Sequence, residues 1–166
     1  MDIRILVPQD AEIYRKLRLE ALRTHPEAYG SSAEEEGAMP SEAFEQRLAG
    51  GDALTFGAWE NGELIGITTL VRESSMKMRH RCNIYAVYVS SAHRGKGIAR
   101  LLMNAVIEQA RAYEGTEQIY LTVVSANEPA KRLYQSLGFR TYGTDLRALK
   151  IGNTYVDEEM MVLQLQ

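Results

Sequence analysis

The residues Arg94-Gly95-Lys96-Gly97-Ile98-Ala99-Arg100 set three cations and two glycines at the head of an apolar-periodic run. Backbone N–H groups at the start of a helix have no intrahelical partner, and the helix dipole makes that end partially positive. Glycine lets the backbone approach a ligand with no Cβ in the way. Together these features form a cradle for an anion, with phosphate as the natural occupant. The plainer alternative is a flexible turn whose basic side chains are solvated. A magnesium-dependent phosphate loop needs Gly-Lys followed by Ser or Thr, and here Gly97 follows Lys96. A dinucleotide fold needs a third glycine where Arg100 stands, and an acidic residue ending the next strand, whereas Glu117 precedes it. Metal chemistry finds little support, because the one cysteine, Cys82, and the histidines 25, 80 and 93 are widely spaced.

These groups need elements to position them. "IRILVP" alternates and reads as a first strand over residues 2–7. Asp10 is placed to cap a helix carrying Ile13, Leu17 and Ala21 on one face. "THPEAYGSSAEEEGAMPS" reads as loop, and Ser41 starts a short helix through Leu48. Asn61-Gly62 between two apolar runs signals a hairpin. Residues 82–89 are apolar on both faces, which suits a central strand. Ile98, Leu101, Leu102 and Ala105 fit one face of a helix starting near Gly97. After a further two-sided strand, "NEPAKRLYQSLGF" has Asn127 as cap, Pro129 in the first turn and Gly138 as terminator. Two closing strands turn at Gly152-Asn153. The order β-α-α-β-β-β-α-β-α-β-β predicts a mixed α/β fold in one domain over residues 1–166.

Apolar and charged residues make up 45% and 25% of the chain, and the net charge is −3, so no overall electrostatic pull toward nucleic acid or a membrane surface is expected. No apolar run reaches the roughly 18 residues that span a bilayer, and the N-terminus has no signal-peptide pattern. A cytoplasmic protein is the expectation.

"RGKGIA", following the strand "IYAVYV" and followed after one more strand by "NEPAKRLYQSLGF", resembles the GNAT superfamily of acyl-CoA-dependent N-acetyltransferases. The matching positions are Arg94, Gly97 and Ala99. The resemblance implies a central mixed, mostly antiparallel sheet with a splayed parallel pair. It implies acetyl-CoA as co-substrate, its pyrophosphate on the amides of residues 94–100 and its pantetheine arm paired with the backbone of Val87, Tyr88 and Val89. It implies that Asn127 contacts the cofactor, a role compatible with capping its helix, and that Tyr134 protonates the departing thiolate. Read from its helix alone, Tyr134 is a core residue beside Leu133 and Leu137. Many relatives carry a catalytic glutamate where this chain has Asn83, ahead of Ile84 and Tyr85, and an asparagine is no base. Substitute bases are Glu34, Glu35 and Glu36 in the loop, or Asp157, Glu158 and Glu159 on the last strand. Tyr29, Glu34, Asn83 and Tyr85 are the candidate acceptor contacts, and Trp59 is read as core. Cys82 lies away from the loop, which favours direct attack in a ternary complex. The expected partner is a small-molecule or peptide amine, with a homodimer admitted as the assembly. The competing reading is a non-catalytic acyl-CoA sensor on the same fold.

Overall fold

The computed structural model describes residues 1–165. Its elements run β1 (Asp2–Ile5), α1 (Ala11–Thr24), α2 (Ala33–Gly37), α3 (Ser41–Arg47), β2 (Ala53–Glu60), β3 (Glu63–Arg72), β4 (Arg81–Val89), α4 (Ile98–Ala112), β5 (Gln118–Val124), α5 (Glu128–Ser136), β6 (Arg140–Ile151) and β7 (Thr154–Gln164). The strands form one seven-stranded sheet in the order β1-β2-β3-β4-β5-β7-β6. Every pairing is antiparallel except β4 with β5. The architecture is the α/β mixed sheet that the element order implies.

Asn61 and Gly62 both take positive φ, 52° and 78°, as a tight hairpin turn requires, and they join β2 to β3. β3 and β4 are apolar on both faces because both faces are covered. On one face α4 buries Ile98, Leu102, Met103, Val106, Ile107 and Ala110. On the other, α1 and α3 pack Tyr14, Leu17, Ala21 and Phe44 over Ile67 and Tyr88. α5 ends as its punctuation predicts, with Gly138 at φ 102° and the Phe139 N–H bonded back to the Tyr134 carbonyl.

Several expectations are corrected. The stretch read as loop contains the short helix α2, capped by Ser32, whose hydroxyl accepts from the Glu35 N–H at 3.1 Å. β1 stops at Ile5. Asp10 does not cap α1 with its side chain. It accepts from the Val7 N–H at 2.8 Å and pairs with Arg4 at 2.9 Å, since that guanidinium is in reach and offers a charge-assisted fork. Leu101 is 44% exposed, so the buried stripe of α4 runs through Leu102 and Met103 instead. In the run Leu101-Leu102-Met103 the helical period leaves the face ambiguous, and contact with the sheet decides it.

Candidate active site

The parallel ladder between β4 and β5 is short. Arg81, Cys82 and Asn83 pair with Gln118, Ile119 and Tyr120, and the strands then diverge. On its other edge β4 continues beside β3, but its register shifts between Tyr85 and Tyr88. Three steps along β4 match two along β3, which is a bulge, and it places Ala86 at φ 59°. From Ile84 onward the edge of β4 facing β5 has no strand partner among the described residues, so this edge borders the gap.

The gap holds two cavities. One, of about 510 Å³, lies between the end of β4 (Val87, Tyr88, Val89), α5 and the segment His25–Tyr29 after α1. The other, of about 370 Å³, lies between the bulge of β4 and β5, with Tyr29, Tyr85, Leu149, Arg18 and Glu158 in its walls. Tyr29, Val87, Val124, Asn127, Ala130 and Tyr134 border both, so the cavities meet there. A smaller hollow of about 190 Å³ at the head of α4 is walled by Val89, Arg94, Gly95 and Gly97 to Arg100.

At that head, Gly95 and Gly97 both sit at φ 77°, and a Cβ on either would meet no atom within 4 Å. The left-handed backbone favours glycine, and the space in front of it is open. The first helical bond runs from the Leu101 N–H to the Gly97 carbonyl, so the amides before it face the mouth. Lys96 is exposed there. Arg94, which also walls this hollow, is held by two hydrogen bonds. Its Nε donates to the Val89 carbonyl at 3.1 Å and its Nη2 to His25 Nε2 at 2.7 Å, so it fastens the loop to the end of β4 and to the α1 exit. Arg100 donates to the Ser136 hydroxyl at 2.8 Å, tying α4 to α5.

Tyr134 is 6% exposed, and burial pushes its hydroxyl pKa up to about 12. Asn127 Oδ1 accepts from the Ala130 N–H at 3.2 Å, so it caps α5 while bordering both cavities. Burial also pushes the Tyr29 hydroxyl up, with nearby Arg18 opposing. The Tyr88 hydroxyl is engaged by Glu20 at 2.7 Å, which leaves this residue's backbone as its contribution to the cavity wall.

The carboxylates separate clearly. Glu34 and Glu35 are exposed on α2 and border neither cavity. Glu36 is buried, which alone would raise its pKa. Hydrogen bonds from Arg18 and Arg47 outweigh this and hold it at about 2, as a structural anion. Asp157 accepts from the Arg147 N–H at 2.8 Å, beside the β6 irregularity where Arg147 has φ 56°. Glu159 pairs with Lys131 at 2.7 Å. Glu158 alone of these borders a cavity. Burial, and then the neighbouring Asp145, push its pKa up. Asn83 borders neither cavity, and its amide donates to Glu73 Oε1 at 2.8 Å. Tyr85 reaches the second cavity and is 54% exposed. Trp59 lies under the Arg4 guanidinium, 4.4 Å from ring centroid to Cζ, and packs against the α1-side core. Cys82 is fully buried against α4, and burial pushes its thiol pKa up.

Sequence reasoning missed Ala86, His25 and Arg18. Nothing local marks Ala86, because a left-handed alanine is imposed by strand pairing. The other two reach the site from α1 and from the residue that follows it, far away in sequence.

The family model of the Acetyltransferase (GNAT) family matches residues 14–139. A mycothiol acetyltransferase of Brachybacterium faecium is 31% identical over 151 residues, which is 87% of this chain and 42% of that protein. The chain thus spans less than half of that relative's length. Among solved structures, a GNAT-family acetyltransferase of Streptococcus pneumoniae superposes with a TM-score of 0.87 at 23% identity, covering 99% of both chains. YncA of Salmonella typhimurium, a putative acetyltransferase solved with its cofactor acetyl-CoA, gives a TM-score of 0.83 at 26% identity, covering 100% of this chain and 94% of its own. The glycine cradle, the splayed strand pair and the family match agree, and the chain belongs to the GNAT acetyltransferase family.

Proposed function

We propose that this protein transfers the acetyl group of acetyl-CoA to a primary amine by direct attack in a ternary complex. The observation that carries this reading is the meeting of two cavities at Tyr134. One suits a cofactor arm along the open edge of β4, and the other suits an acceptor. The open amides at Gly95, Gly97 and the first turn of α4 suit the cofactor pyrophosphate, with Lys96 adding charge from outside. The stretch Val87, Tyr88 and Val89 offers an open strand edge to the amides of the pantetheine arm, as an added strand would.

Glu158 takes one proton from the ammonium, the neutral amine nitrogen then attacks the thioester carbonyl to form the C–N bond, and the C–S bond breaks. The raised pKa of Glu158 suits this role, because a base works best when its pKa lies nearer the operating pH. Tyr134 donates its hydroxyl hydrogen to the sulfur as the thiolate departs, and the second proton shed by the acylated nitrogen restores the hydroxyl. Cys82 is sealed beneath α4, which argues against an acyl-cysteine intermediate. A small-molecule or peptide amine and a cytoplasmic location belong to the same reading, as does one domain over the whole chain. The spermidine N(1)-acetyltransferase of Vibrio cholerae and the L-amino acid N-acetyltransferase of Escherichia coli, 30% and 28% identical and each matching 61% of this chain, support an amine acceptor.

The second reading, an acyl-CoA sensor, is favoured by one observation: Asn83 stands at the strand start with its amide committed to Glu73. A thiol-release assay with acetyl-CoA and a panel of amines separates the two. Release dependent on an amine supports the enzyme. Tight acetyl-CoA binding with no release for any amine supports the sensor.

A further inference from the structure

The charged groups in the wall of the second cavity are one arginine and one glutamate, Arg18 and Glu158. Arg18 belongs to a small buried network. Its Nε and Nη2 donate to the two oxygens of Glu36 at 3.1 and 2.9 Å, and Arg47 Nη1 donates to Glu36 Oε1 at 2.8 Å. Two guanidiniums therefore share one carboxylate, and the network holds a net positive charge. The Arg18 side chain is only 11% exposed, and its third nitrogen, Nη1, is buried with no hydrogen-bond partner among the described residues. A buried N–H of a charged group left unpaired is costly, and a bound anion removes that cost. The Tyr29 ring lies over this guanidinium, 5.1 Å from its Cζ, and borders the same cavity. Glu158 is the complement. It forms no hydrogen bond or ion pair among the described residues and sits near Asp145, a like charge that strengthens attraction for a cation. Apolar side chains, among them Leu149 and Ile84, fill much of the remaining wall.

From this pairing of opposite charges we infer that the acceptor is an amine carrying its own carboxylate, as a free α-amino acid does, with the carboxylate on Arg18 and the amine before Glu158. This rests on the acetyl-transfer reading above. A polyamine would set a second cation against Arg18, and an amine without an anion would leave Nη1 unpaired.

The test compares matched acceptors on the intact protein: several L-amino acids, their α-amides, the corresponding decarboxylated amines, and spermidine. Thiol release measures kcat/KM for each, and calorimetry measures acetyl-CoA binding. The amino acids are expected to exceed their amides by about 30-fold or more, since losing one partner of a buried, hydrogen-bonded charge pair costs at least that much. Arg18→Gln is expected to abolish the preference while the KM for acetyl-CoA stays unchanged. Arg18→Lys, which keeps a cation over Glu36, is expected to retain part of it. If either variant fails to fold, the comparison of acceptors on the unaltered protein still decides. Amides, decarboxylated amines or spermidine acetylated as well as the amino acids overturn this inference and leave acetyl transfer standing. Absence of acetyl-CoA binding, or of acetylation for every amine, overturns both.

Discussion

At Tyr134 a single oxygen separates chemistry from packing. The ring belongs to the core, 6.1 Å from Phe139 between centroids, while the residue borders both cavities. With its pKa pushed to about 12 the hydroxyl stays protonated across the working range, as the proposed donor role requires. Tyr134→Phe keeps the ring and is expected to lower kcat by about 10²-fold, with little change in the KM for acetyl-CoA. The deficit shrinks as pH rises, because a free thiol titrates near ~8.5 and its thiolate then leaves unaided. Full turnover by the Phe variant between about pH 6 and 9 would leave this tyrosine a core residue only. Glu158 makes the complementary prediction. A base acts when ionised, so activity falls as pH falls through its pKa, and burial and Asp145 place that limb above the ordinary ~4.3 of glutamate. Asp145→Asn removes a like charge and is expected to shift the limb to lower pH. Glu158→Gln is expected to erase the limb and reduce kcat/KM by about 10²-fold or more. A limb unmoved in both variants assigns the proton to another group.

Among the elements, the head of α4 depends on backbone more than on charge. Gly97→Val forces a β-branched residue into φ 77° and puts its side chain where the amides face the mouth. Calorimetry should show acetyl-CoA affinity reduced at least tenfold (about 1.4 kcal/mol) with the fold retained. Lys96→Ala removes an exposed contact worth about 1 kcal/mol or less, so its loss should be smaller. The reverse order would contradict an amide-centred cradle. The α1–α2–α3 corner depends on Glu36 instead. Its pKa is about 2 in the folded state against an ordinary 4.5, so its stabilisation is complete above 4.5 and is lost as pH falls toward 2. Glu36→Gln leaves Arg18 and Arg47 without their counter-charge and is expected to cost about 3 kcal/mol, read by urea denaturation at neutral pH. The penalty should fade in acid, where the native glutamate is itself protonated. A penalty independent of pH would point to packing.

For the molecule as a whole, the opening between β4 and β5 is an interruption in the sheet, with strand backbone facing a cavity. A ligand that lines this edge should bind the folded chain alone and stabilise it by mass action, by about 2.7 kcal/mol at a hundred times its Kd. For a chain of this size that is a rise in Tm of roughly 5–10 °C. Hydrogen exchange at Val87, Tyr88 and Val89 should slow along with it. A thermal shift without protection of these amides would move the cofactor arm elsewhere.

Much of this was legible in the linear chain. Asn61-Gly62, Gly97, Asn127 and Gly138 act through backbone constraints confined to a few residues, so the hairpin, the start of α4 and both ends of α5 follow from local chemistry. The two-sided apolar character of residues 82–89 depends only on composition, and it placed β4 in the centre. What the folded chain alone decided are relations between distant segments. Ala86 is left-handed because β3 and β4 differ by one residue in register. Arg94 donates to His25, 69 residues away. Glu36 and Glu158 are both carboxylates in acidic runs, and nothing local ranks one above the other as a base. Arg18 and Arg47 claim the first, while the second is left facing a cavity, because charge pairing and burial are set by which helices and strands meet.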